Sequence, residues 1–202
     1  MPSKPAKTSK KVDPGAPIFQ VKLTLKGSKP PIWRRVLVPA DIPLDFLHHV
    51  IQTAMGWTYS HMHQFIIGTG AATRFLGSRQ RDMPESDVED ETEFSLGQLA
   101  PAPRRKLHYE YDFGDSWLHE ILVEKILPPD PAMRHPVCIA GENACPPEDC
   151  GGIYGYYDVL AALADPKHPE HDDWSEWMDK DFDPADFSVD DANRKLKERI
   201  KR

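Results

Sequence analysis

Residues 107–124, LHYEYDFGDSWLHEILVE, decide the fold. Apolar and polar side chains alternate on both sides of the pair Gly114-Asp115, which is the period of two strands that each bury one face. Glycine and aspartate are also residues that a tight turn requires. The stretch therefore predicts a β-hairpin with its turn at residues 114–115.

The segment before this hairpin predicts a second one, followed by a helix and a strand. Apolar residues alternate from Phe19 to Leu25, the turn-forming residues KGSKPP follow, and 32–38 is apolar again. Residues 44–55 carry one apolar face at helical spacing, with Gly56 at the position where helices end. Residues 63–67 predict a third strand.

The segment after the central hairpin predicts two helices. One contains Tyr156 to Leu163 and ends before Pro166, and the other begins at Ser188 with acidic residues in its first turn. Residues 77–106, which are acidic, and 136–152 are interpreted as loops. The order β-β-α-β-β-β-α-α predicts an α+β fold, a mainly antiparallel sheet built from β-hairpins with helices packed on one side.

The composition predicts one soluble domain. The 202 residues are 40% hydrophobic with a net charge of −7, and the lysine- and proline-rich segment 1–16 predicts a disordered basic tail before a single domain at 17–202. No apolar stretch reaches the roughly 20 residues of a membrane span. The N-terminus lacks the apolar core of a secretory signal, and three cysteines form no complete disulfide framework, so we expect a cytoplasmic protein.

Basic residues leave DNA binding open as an alternative. Residues 18–81 have a net charge of +6, and such a surface neutralises phosphates. The overall acidity favours the other interpretation, a solvated surface, so DNA is a possible but not a favoured partner. The candidate nucleic-acid residues are Arg34, Arg35, Arg74, Arg79 and Arg81.

Polar and aromatic residues around the central hairpin form a candidate ligand cleft. A carboxylate beside a histidine orients the ring and raises its pKa, and two histidines on one strand face can bind a metal. The same residues have structural interpretations, as turn formers, core side chains or an exposed polar face. The candidates are His61, His63, Asp112, Asp115, Trp117 and His119.

Three cysteines give a second candidate site. Cys138, Cys145 and Cys150 are spaced seven and five residues apart, and a zinc ion held by them would need a fourth ligand such as His135 or His119. Glu148 and Asp149 lie in the same segment. The alternative is three separate free thiols.

Five stretches in order resemble the plasmid pRiA4b ORF-three-like family: 18–40, 47–57 with 61–65, 109–121, 136–156 and 182–196. The resemblance implies a setting among plasmids and mobile elements, where some relatives carry the label "TnpR", and no established activity. A serine recombinase needs an activated serine with arginines near it, and no early Tyr-x-Arg-x-Ser segment is present.

These observations predict an accessory or binding module without enzymatic activity, with an unknown protein or small-molecule partner. One alternative is a metal-dependent or metal-stabilised domain with its site at 112–119 and 138–150. The other is a DNA-binding accessory factor in transposition.

Overall fold

The computed structural model describes residues 15–78 and 87–200. Most of the predicted tail, together with Arg79 and Arg81, lies outside these ranges. Within them, one eight-stranded sheet forms the centre of the fold, in the order β5-β4-β3-β6-β7-β1-β2-β8. The strands are β1 Ile18–Leu25, β2 Trp33–Pro39, β3 His63–Ile67, β4 Arg74–Gly77, β5 Val88–Asp90, β6 Lys106–Tyr111, β7 Trp117–Leu127 and β8 Val137–Glu142.

The two predicted hairpins supply the middle of this sheet. β6 and β7 pair in antiparallel register with Tyr111 opposite Trp117, and β1 pairs antiparallel with both β2 and β7. β3 lies on the other side of β6, where His63 is opposite Tyr111. All neighbouring strands are antiparallel except β4 and β5. The predicted α+β class and mainly antiparallel sheet are confirmed.

Five α-helices accompany the sheet in the described residues, and three of them, the first, the third and the fifth along the chain, were predicted. The first covers the predicted range and ends at Gly56, whose φ of 109° is left-handed. The last begins after Ser188, whose hydroxyl accepts a hydrogen bond from the Asp191 N–H at 3.1 Å. The helices are α1 Leu44–Met55, α2 Leu96–Leu99, α3 Gly152–Ala164, α4 His171–Trp177 and α5 Val189–Arg199.

Two segments interpreted as loops contain regular structure. β5 and α2 fall within 77–106, and β8 falls within 136–152. β4, which ends at Gly77, was not predicted either. These elements are short. Their strands form by pairing with neighbouring strands, and they lack a clear alternation of apolar and polar residues that would predict them. At Cys138 the Asn193 side chain of α5 bonds both the backbone N–H and the carbonyl at 2.8 Å, which holds β8 beside that helix. Helix α4 was also not predicted.

The sheet buries one face beneath the helices. Along β1 the residues Val21, Leu23 and Leu25 are buried, while the alternating Lys22 and Thr24 remain partly exposed. Apolar side chains from α1, α3 and α5 join the same hydrophobic core as these strands. In the described part of the chain, no helix combines the length and the apolar character that crossing a bilayer requires.

Candidate functional site

Three chain segments meet at the tip of the β6–β7 hairpin: 57–61, 111–116 and 146–151. At the tip, Asp112 adopts a left-handed conformation with φ of 59°, and its Oδ1 accepts the Gly114 N–H at 2.9 Å. Asp115 Oδ2 accepts the N–H of Gly151 at 3.2 Å. Asp112 therefore stabilises the turn itself, and Asp115 attaches the turn to the segment before α3.

Glu148 joins the same three segments through hydrogen bonds. The Tyr111 hydroxyl donates to Glu148 Oε1 and accepts the backbone N–H of Ser60 at 3.0 Å. The Thr58 N–H donates to the other carboxylate oxygen at 3.2 Å. Burial and the bond to Glu148 raise the pKa of Tyr111, so the phenol keeps its proton and remains a donor.

The neighbouring residues His61, Asp112 and Asp149 form what we call the His61 cluster. His61 Nε2 lies 3.0 Å from Asp149 Oδ1 and 3.6 Å from Asp112 Oδ2. One donor atom from each residue lies within 4.8 Å of the other two, a spacing that a single cation can bridge. Within residues 15–78 and 87–200, no other group of three or more His, Cys, Asp or Glu residues has donor atoms this close together.

The ring nitrogen of His61 has no aligned hydrogen bond. Nε2 is buried from solvent and, despite the short distance to Asp149, no acceptor lies along its N–H direction. A buried ring nitrogen normally has a partner. A cation between the imidazole and the two carboxylates would supply one.

His63 belongs to a different cluster. The sequence predicts His61 and His63 on one strand face, but β3 begins at His63, so the alternation does not extend to His61. His63 Nε2 lies 2.8 Å from Glu91 Oε2, and its ring stacks on His48 with 3.6 Å between centroids. His48 in turn contacts the Tyr109 hydroxyl through Nδ1 at 2.7 Å. Burial lowers the pKa of His48 to about 2.

Trp117 and His119 lie in the core on the inner side of β7. Trp117 is buried beside Trp57, with 5.8 Å between ring centroids. His119 Nδ1 contacts the Trp117 carbonyl at 2.9 Å, and its Nε2 has no hydrogen-bond partner. Burial lowers the pKa of His119 to about 4, so the ring is neutral at pH 7. The ligand-cleft candidates thus divide among three places.

The cysteines do not assemble into a ligand set. All three are free, and none belongs to the group of donor atoms described above. Burial raises the pKa of Cys138, of Cys145 and of Cys150, the last to about 12. Free, buried thiols that do not converge favour the interpretation as small apolar side chains.

The candidate arginines within the described residues are already engaged. Arg34 is only 1% exposed, donates to the carbonyls of Ala54, Trp33 and Glu142 at 2.9–3.0 Å, and stacks on Phe187. It therefore offers no accessible charge to a phosphate. Two other arginines each form a two-bond pair with one glutamate, Arg35 with Glu124 and Arg74 with Glu89.

Asp149 is the residue of the His61 cluster that was not among the candidate site residues. Its segment attracts attention through its cysteines, whereas the structure uses the carboxylates between them. Asp149 has a φ of 61°, and a left-handed conformation at a residue other than glycine is uncommon and clusters at functional sites. That signal is conformational and cannot be read from residue spacing.

Comparisons with known proteins agree with this arrangement of motifs. The 34% identical uncharacterized protein y4hQ of Sinorhizobium fredii aligns over 180 residues, 89% of this chain and 90% of the relative. The crystal structure of the protein of unknown function MM3350 from Methanosarcina mazei Go1 is similar at a TM-score of 0.77 and 33% identity, covering 87% of this chain and 97% of that one. The profile of the family described as plasmid pRiA4b ORF-3-like protein matches residues 17–191. The chain belongs to this plasmid pRiA4b ORF-3-like family.

Proposed function

We propose that the protein is a metal-binding module in which the His61 cluster holds one divalent cation. The observation that carries the proposal is the convergence of one imidazole nitrogen and two carboxylate oxygens within 4.8 Å of one another. Of the interpretations drawn from the sequence, this one joins a binding module with the metal-stabilised domain. It keeps Asp112 of the predicted hairpin site and replaces the cysteines by His61 and Asp149 as ligands.

The ligand set indicates the kind of metal. Imidazole suits zinc and other first-row transition metals, and carboxylate oxygens suit manganese and magnesium. One nitrogen with two oxygens favours Zn²⁺ or Mn²⁺. Three protein ligands leave coordination positions for water or for a small ligand.

The surroundings support a prearranged site. Asp112 and Asp149 both occupy left-handed conformations, and the hydrogen bonds of Glu148 and Asp115 fix the two backbones that carry them. Each ligand comes from a different segment, so the cation would connect 57–61, the hairpin tip and the loop before α3. Binding to the folded state alone stabilises it, by roughly 2.7 kcal/mol when the free metal is 100 times the Kd.

The test measures metal stoichiometry and affinity in the full chain. We expect protein purified without chelator to contain one equivalent of Zn²⁺ or Mn²⁺ by elemental analysis. After chelator treatment, calorimetric titration should give one site and a higher melting temperature on reloading. Asp112→Asn and Asp149→Asn should each weaken binding by at least about tenfold, because each removes one charged ligand.

The control is Asp115→Asn, which removes a negative charge at the same hairpin tip but keeps an oxygen that can accept the Gly151 N–H, so metal affinity should stay close to that of the unmodified chain. Asparagine tolerates the left-handed conformation and keeps an acceptor for Gly114, so the Asp112 variant should fold. Absence of metal binding in the unmodified chain would refute the proposal. So would binding that survives both cluster variants and is lost in Cys145→Ala or Cys150→Ala, since the metal would then lie at the cysteines.

The setting among mobile elements and the DNA-binding alternative stay predictions. Retention on duplex DNA with a steep dependence on salt would support DNA contacts, because phosphate binding releases counterions.

A further inference from the structure

A cleft that the metal proposal does not use lies beside the segment that carries Glu148. A cleft of about 340 Å³ opens between the end of α1, residues 145–148 and residues 177–182. This volume is within the range of small-molecule sites. We call it the tryptophan cleft, after the two tryptophans in its wall, Trp57 and Trp177.

The wall of the cleft is mainly aromatic and apolar. Trp57 is buried and fixed by a hydrogen bond from its Nε1 to the Pro146 carbonyl at 2.9 Å. Trp177 is 47% exposed, so much of this large ring faces solvent. Phe182 is the third aromatic residue, and Met55 and Met178 add apolar surface.

The charged residues of the wall are both acidic. They are Glu148 and Asp179, and the described residues that line the cleft include no lysine, arginine or histidine. The surrounding segment 165–191 has a net charge of −9. The cleft therefore disfavours anions and attracts cations.

The combination of aromatic rings and carboxylates selects one class of cation. A small inorganic ion keeps its water and gains little from an apolar wall. An alkylated ammonium ion has an apolar surface, and aromatic rings attract its diffuse charge. We propose that the tryptophan cleft binds a small organic ammonium ion, with Trp177 against the alkyl groups and Asp179 near the charge.

This site is separate from the His61 cluster. The carboxylate of Glu148 already accepts bonds from Thr58 and Tyr111, so Asp179 is the residue better placed to change without disturbing the hairpin tip. The Asp179 carboxylate accepts a local bond, from the Asp181 N–H to Oδ1 at 3.1 Å. The cleft is thus expected to bind its ligand without any metal.

The experiment compares choline with 3,3-dimethylbutan-1-ol, which has the same shape and no charge. Both are titrated into metal-free full-length protein, with tryptophan fluorescence and NMR line positions as readouts. We expect choline to bind at least about tenfold more tightly than the alcohol, since the charge supplies the cation–aromatic attraction. Trp177→Ala should weaken choline binding by at least about tenfold, and Asp179→Asn by several fold.

Asp181→Asn is the matched control. It also removes one negative charge, but Asp181 lies two residues after Asp179 and does not line the cleft. It should leave choline affinity within about twofold of the unmodified protein. Equal binding of choline and the alcohol, or choline binding that is unaffected by both Trp177→Ala and Asp179→Asn, would overturn the proposal. No choline binding at all would do the same. Repeating the titration in Asp149→Asn separates this result from the metal proposal, because choline binding should persist there.

Discussion

Arg34 shows how the position of one residue changes the meaning of its charge. In the sequence it stands in a basic segment and is a candidate for phosphate binding. In the structure its guanidinium is buried, bonds three backbone carbonyls and stacks on the ring of Phe187 at 3.7 Å from the centroid. One of those carbonyls belongs to Ala54, near the end of α1, where helix carbonyls lack partners within the helix. Arg34 therefore joins β2, β8 and α1.

We predict that Arg34→Lys lowers the free energy of unfolding by about 3 kcal/mol. Lysine keeps the positive charge but cannot supply a planar fork to three acceptors, so buried carbonyls lose their donors. Chemical denaturation at pH 7 measures the loss. Arg35→Lys is the control: its pair with Glu124 is partly exposed, and that variant should lose less than about 1 kcal/mol. Similar losses in the two variants would contradict the structural role of Arg34.

The elements that sequence analysis predicts best are those with strong internal patterns. α1 and β3 have the predicted bounds, and the β6–β7 hairpin has its turn where Gly114 and Asp115 place it. β5 and β8 were missed because they are three and six residues long and lack clear alternation. For the His61 cluster, sequence analysis identifies His61 and Asp112 as candidates. It does not identify Asp149, because the approach of 146–151 to the hairpin tip depends on the position of α3.

Gly152 permits the close approach of residues 146–151 to the hairpin tip. It is the first residue of α3, its φ is 68°, and a Cβ there would overlap the carbonyl oxygen of Asp115 at the hairpin tip. We predict that Gly152→Ala lowers the free energy of unfolding by about 3 kcal/mol or more, because conformational strain and steric overlap add. Thermal and chemical unfolding measure the effect. Metal affinity should fall in the same variant, since the tip and Asp149 move apart.

Gly70→Ala separates strain from overlap. Gly70 has a similar φ of 60°, and nothing lies within 4 Å of the position a Cβ would take. This variant should lose only the left-handed cost of about 1–2 kcal/mol and should keep metal affinity. If Gly70→Ala and Gly152→Ala lost the same free energy of unfolding, the close contact between α3 and the hairpin tip would not constrain the fold.

At the scale of the whole molecule, neutral buried histidines couple folding to pH. His119 lies between the rings of Trp57 and Tyr109, near the positive charge of Arg34, and burial is the main reason that its pKa is lowered to about 4. His48, beside His63 and His49, is lowered further. In the unfolded chain both rings would titrate near pH 6.5. Below that pH the unfolded state binds more protons than the folded state, so stability falls with falling pH.

We predict that each of these two histidines removes about 2 kcal/mol of stability between pH 7 and pH 5, with no contribution from either above about pH 7.5. For His119 the loss continues until pH 4, where the folded ring titrates. Urea denaturation at pH 7 and pH 5 measures the slope. His119→Phe keeps an aromatic ring and cannot titrate, so its loss over this interval should be smaller than that of the unmodified protein by about 2 kcal/mol.

The pH slope distinguishes protonation from packing. His119→Phe gives up the bond to the Trp117 carbonyl, so its stability at pH 7 can shift in either direction without bearing on the prediction. Only the difference between the two pH values reports the histidine proton. Equal slopes for His119→Phe and the unmodified protein would mean that the buried ring accepts a proton in the folded state as easily as in the unfolded chain. The core around Trp57 would then have to admit water or a counter-charge to His119.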